Sequence, residues 1–200
     1  MLKDITLIKE AFKEMLIDNP LTVPKKPYNL SSLFARDDLS QGQKIQLGIR
    51  IEYWINMILN DHPNVNSIKG KDKSLWMNTD TNQISSGSVA PNGLKDIDHL
   101  FIFNNKTYYL ECKTNLGLDT EKAPATVKKV NTIVKCLTDN GSFPEVTGKI
   151  ISPFWDIENV YVAPSMENSI MFFGEFSKLL GLDLTKDTYH AACKELGELL

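Results

Sequence analysis

The sequence predicts an α/β domain, with a mixed β-sheet flanked by helices on both faces. Three observations carry this. Two apolar, β-prone runs, Ile97 to Phe103 and Thr107 to Cys112, flank Asn104-Asn105-Lys106. Long stretches of helical periodicity lie before and after them. The resulting order of helix, hairpin, helix, strand and helix asks for a sheet covered on two sides. At 200 residues and a net charge of -3, one domain with a proper core is expected. Its parts are an N-terminal helix and connector (1–30), a core (40–165) and C-terminal helices (166–200).

From the N-terminus, Ile5, Ile8, Phe12, Met15 and Leu16 recur at helical spacing within Leu2 to Ile17, ending before Asn19-Pro20. Residues 20 to 27 read as a connector, with Lys25 and Lys26 as surface residues. Ser40 to Asn60 is a long helix, apolar nearly all round through Ile45, Ile49, Ile55 and Leu59 on one face and Leu47, Ile51, Trp54 and Ile58 on another. Glu52 interrupts the first face and needs a partner there. A structural salt bridge with Arg50 or a lysine would supply one, and the alternative, a place in an active site, rests on the resemblance given below. Asp61-His62-Pro63 stops the helix.

Leu75-Trp76-Met77 reads as a short strand. Lys69, Lys71 and Lys73 make the most basic patch in the chain, able to follow a phosphate backbone or simply to be solvated. Gln83 to Gly93 is rich in turn residues and reads as a loop. After the hairpin, a helix is expected from about Pro124, packing through Val127, Val130, Ile133, Val134 and Leu137. Lys122, Lys128 and Lys129 stand near its start, where cations oppose the helix dipole, so phosphate contact competes with plain surface lysine. Lys149 to Ile151 and Val160 to Ala163 read as strands, and Met171 to Leu180 and Tyr189 to Leu200 as helices, with Thr185 or Asp187 capping the last.

The hairpin is the informative stretch. With Asn104 and Asn105 at its tip, Phe103 faces Lys106, Phe101 faces Tyr108, Asp98 faces Glu111, and Asp96 faces Lys113. One surface then gathers acidic groups and an ammonium, while Leu110, Cys112 and His99 point away. Two carboxylates about 4 Å apart repel by roughly 4 kcal/mol at an effective dielectric of about 20. Lys113 offsets part of this, and a hard divalent cation would offset more. Water activated at such an ion, beside a lysine, suits phosphodiester hydrolysis.

Asp98 followed by Glu111-Cys112-Lys113 after a hairpin resembles the PD-(D/E)XK nuclease superfamily, in which type II restriction endonucleases are prominent. Ile97 stands where the motif's proline is often found, and Asp96 competes for the first acidic position. The resemblance implies a restriction-endonuclease-like fold and magnesium held by Asp98, Glu111 and the Cys112 backbone carbonyl. Lys113 would orient or deprotonate water, and Glu52 would hold a metal-bound water or a second ion. It further implies sequence-specific cleavage of double-stranded DNA by a homodimer. Lys69, Lys71, Lys73, Asn115, Lys122, Lys128 and Lys129 are the candidate DNA contacts. A structure-specific repair or recombination nuclease, or an inactive DNA-binding module of the same fold, are the alternatives.

Other chemistries find no purchase in the residues. His62, His99 and His190 lack zinc spacing, and no phosphate loop, dinucleotide fingerprint or esterase turn occurs. Cys112, Cys136 and Cys193, an odd number without metal spacing, read as reduced, buried thiols of a cytoplasmic protein. No apolar run reaches the ~20 residues of a membrane span.

Overall fold

A computed structural model describes residues 29–36, 38–70, 73–87, 93–158 and 160–198. The expected N-terminal helix, the Lys25-Lys26 connector, Lys71 and residues 88–92 lie outside the described residues. The chain forms α1 (Asn29–Phe34), α2 (Gln41–Asp61), β1 (Asn66–Ser67), β2 (Ser74–Asn78), β3 (Gln83–Gly87), β4 (Lys95–Ile97), β5 (His99–Phe103) and β6 (Lys106–Cys112). There follow α3 (Lys122–Asn140), β7 (Val146–Ser152), a 3-10 turn (Pro164–Ser169), β8 (Ile170–Phe172), α4 (Phe173–Leu180) and α5 (Lys186–Gly197).

The principal sheet is mixed, in the order β1-β5-β6-β7-β8, with the β1-β5 and β5-β6 pairs antiparallel and the β6-β7 and β7-β8 pairs parallel. A smaller antiparallel sheet runs β3-β2-β4. The β5-β6 hairpin has the expected register, Phe103 opposite Lys106 and Phe101 opposite Tyr108. Asn104 and Asn105 both adopt left-handed φ, 50° and 59°, as a two-residue hairpin turn demands.

Alternation along β5, β6 and β7 sorts side chains into two cores. Phe101, Leu110 and Ile151 pack with α2, α4 and α5; Tyr109 and Ile150 pack with Val130, Ile133 and Leu137 of α3. Helices therefore cover both faces. Ser40 caps α2 in a reciprocal box with Gln43, and Thr185 caps α5.

Several expectations are corrected. Gln83–Gly87 is a strand, because Asn78 caps the Asp80 and Thr81 amides and returns the chain along β2. Residues 160–163 form no strand, since Ala163 N–H is spent on the Leu116 carbonyl and Tyr161 faces solvent. Ile170–Phe172 takes the place beside β7 instead, so the helix expected from Met171 starts at Phe173. α2 is not apolar-buried all round: Ile45 and Ile49 are 58% and 64% exposed. Asp96 does not oppose Lys113; it pairs with Trp76 in the smaller sheet.

Candidate active site

Asp98 sits at the break between β4 and β5, where the chain leaves one sheet and enters the other. It has no ladder partner of its own. Its Oδ2 instead accepts the Cys112 amide at 2.8 Å, which ties the break to the end of β6 and keeps Asp98 on the Glu111 side. His99, one residue on, faces the opposite core and is fully buried, as its place on the strand predicted.

Glu111 shares its sheet face with Tyr109, the face covered by α3. Its side chain is only 4% exposed, and both oxygens are engaged. Oε1 accepts Lys113 Nζ at 2.7 Å; Oε2 accepts the Tyr109 hydroxyl and Lys129 Nζ, each at 2.6 Å. Lys113 Nζ also reaches the Cys112 carbonyl at 3.1 Å. Glu52, on α2, meets Lys69 Nζ at 2.8 Å, and the same ammonium donates to the Asp98 carbonyl at 2.8 Å. Glu52 thus forms the salt bridge to a lysine that was one of its two readings, and it does so at the lining of the cleft.

Glu52, Asp96, Asp98, Glu111, Lys113 and Lys129 supply the charged lining of one open cleft of about 440 Å³. Ile45 and Ile49 form part of its apolar wall. Gly48 of α2 and Thr114 face each other across the cleft lining, and a Cβ on Gly48 would make only an ordinary contact with the Thr114 hydroxyl at 3.6 Å.

The charges are answered unequally. Burial pushes Glu111 up, but Lys113 and Lys129 outweigh it and hold the carboxyl below its ordinary range. Burial would lower Lys113, and Glu111 and Asp98 more than restore its proton. Asp98 feels Lys129 and Lys113 too, but only at a distance, and they do not prevail. Burial first, then repulsion from Glu111 and Glu52, raises it to about 7. Among the described residues no lysine or arginine forms an ion pair with it.

A donor set of one under-compensated carboxylate, a second carboxylate and a backbone carbonyl fits a hard divalent cation. No three His, Cys, Asp or Glu side chains among the described residues converge into a ready cage. Magnesium asks for only one or two carboxylates and completes its shell with water and phosphate oxygens.

The candidate DNA contacts divide. Lys69 leaves the expected basic patch and turns inward to Glu52, and Lys129 turns inward to Glu111. Asn115 lines the cleft, with its side-chain oxygen on the Gly117 amide. Lys73 and Lys128 are exposed, and Lys122 is exposed and paired with Asp119. Tyr109 went unnoticed in the sequence, although its spacing of two from Glu111 placed it on the same face. Comparison with protein-family models, with curated proteins and with solved structures finds no match to this chain.

Proposed function

We propose that this chain is a magnesium-dependent endonuclease of the PD-(D/E)XK type, acting on double-stranded DNA as a type II restriction enzyme and working as a homodimer. One observation carries the reading: Asp98, Glu111 and Lys113 line a single open cleft, with Asp98 short of a compensating cation. Asp98, Glu111 and the Cys112 carbonyl would hold the ion, which supplies Lewis-acid polarisation of the phosphodiester and a more acidic water.

The protein's own groups account for the rest. Lys113 keeps its proton, because Glu111 and Asp98 raise it, so it acts as a donor and not as the base. Its ammonium orients the attacking water and meets charge growing on the phosphate oxygens. Tyr109 and Lys129 fix Glu111 from behind through Oε2, leaving Oε1 as the oxygen turned toward Lys113. Hydrolysis is direct, since no thiol serves as nucleophile: burial and the nearby Asp98 charge push the Cys112 thiol well up.

The test is incubation of the pure full chain with supercoiled and linear plasmid, in magnesium and in chelator, with mapping of the ends. Magnesium-dependent breaks at one short sequence are expected. Breaks only at branched or nicked junctions would reassign it to a structure-specific nuclease. Intact DNA under all conditions sinks the enzyme reading.

A further inference from the structure

We propose that the Lys69 ammonium occupies the place, between Glu52 and the Asp98 backbone carbonyl, that a second divalent ion would need, so that this cleft takes one divalent cation and not two. The inference rests on the nuclease reading of the same cleft and specifies its metal count.

Two-ion phosphodiester sites set their cations about 3.5–4 Å apart, and each ion needs its own oxygen donors. Beyond Asp98 and Glu111, the cleft offers Asp96 and Glu52 as carboxylates. Asp96 is exposed in the smaller sheet, which leaves Glu52 as the donor facing the break at Asp98. That donor is already taken. Lys69 Nζ lies 2.8 Å from Glu52 Oε1 and 2.8 Å from the Asp98 carbonyl oxygen, the two atoms that would coordinate the second ion.

The lysine is built in. Its side chain is only 13% exposed. The turn that presents it is held by α2: Asn60 Nδ2 donates to the Lys69 carbonyl at 3.2 Å and Asn56 Nδ2 to the Gly70 carbonyl at 3.3 Å. Ser67 Oγ donates to the same Lys69 carbonyl at 2.8 Å. Glu52, Asn56 and Asn60 follow one another at four-residue intervals, so a single helix stripe supplies both the ion-pair partner and the clasp on the turn. A fixed single positive charge there repels a doubly charged neighbour and uses up its ligands.

The test counts bound ions on the metal-free full chain, with and without a short DNA duplex. Manganese is titrated and the free ion followed by electron paramagnetic resonance, with magnesium calorimetry alongside. One equivalent is expected for the unaltered protein. Lys69→Met should admit a second, weaker equivalent, and adding Glu52→Gln should remove it again. Lys69→Gln serves in the same role should the methionine variant fail to fold. Two equivalents in the unaltered protein, or one in a folded Lys69 variant, would overturn the inference while leaving the nuclease reading intact. No bound ion in any form defeats both, and the plasmid assay then tells whether cleavage proceeds without metal.

Discussion

Lys129 Nζ and Glu111 Oε2 meet at 2.6 Å, joining the first half of α3 to the end of β6 inside the cleft. The pair explains why a lysine sits early in a helix whose dipole disfavours it: a buried carboxylate lies beneath. Lys129→Met removes one of two cations from Glu111, while Lys113 and Tyr109 remain. A loss of about 2 kcal/mol in urea unfolding is expected, below the roughly 3–5 for a wholly abandoned buried charge. Adding Glu111→Gln should recover most of it. A double-mutant cycle with no coupling would show that the pair contributes nothing.

Asp98 and His99 pull stability in opposite directions with pH. Asp98, raised to about 7, binds its proton in the folded state over a range where the unfolded chain has lost it, so its contribution is present below about pH 4 and lost as pH rises through 7. His99 is held well below its ordinary value, by burial and then by Lys69, so the folded state loses ground as pH falls below about 6.5. Between about pH 4 and 6.5 the two slopes oppose each other. In metal-free protein, Asp98→Asn should therefore leave stability rising with pH there, and should gain up to roughly 4 kcal/mol over the parent above pH 7. Magnesium should raise the melting temperature more at pH 8 than at pH 6. Equal shifts at both would place the ion away from Asp98.

His99 also offers a packing test. Both ring nitrogens are buried without a hydrogen-bond partner. An apolar side chain of similar size removes two unsatisfied polar atoms, so His99→Leu should stabilise by about 1 kcal/mol and flatten the acid limb of the profile. A loss of more than about 1 kcal/mol would mean the imidazole is satisfied in solution.

Lys113→Ala and Asp98→Ala should each lower magnesium-dependent cleavage by at least about 10²-fold, with DNA affinity nearly unchanged. Single-turnover rates at saturating enzyme separate this from a binding defect. Normal turnover in either variant removes that residue from the mechanism.

The local parts of this site were legible in the sequence, and the long-range parts were not. Asn104-Asn105 fixed the turn, and period-two counting then put Asp98 and Glu111 on one side and His99 on the other. Counting failed one step further out, at Asp96, because the strand breaks at Asp98 and β4 pairs with β2 instead. No hydrophobic pattern marks such a change of sheet. Lys69 looked like one of three exposed lysines, since nothing in its neighbourhood reveals that Asn56 and Asn60 draw the turn onto α2. The strand at Ile170 was hidden for a related reason. Its register is set by β7, and its own short sequence runs without interruption into the helical pattern of α4.

Gly148 connects the packing of α3 to the chemistry. It lies on β7 opposite Tyr109, and a Cβ there would stand 2.3 Å from Val134 Cγ2 and 2.9 Å from Val130 Cγ1. The missing side chain lets α3 settle against the sheet, and α3 carries Lys129. Gly148→Ala must either turn both valines, each stiff at χ1, or lift the helix. The expected cost is about 1–3 kcal/mol. If the helix lifts, Lys129 withdraws from Glu111, and cleavage should fall together with stability. Val134→Ala in the same chain removes the shorter of the two contacts and should restore part of both. Recovery of stability without recovery of cleavage would separate the position of α3 from the activity of the cleft.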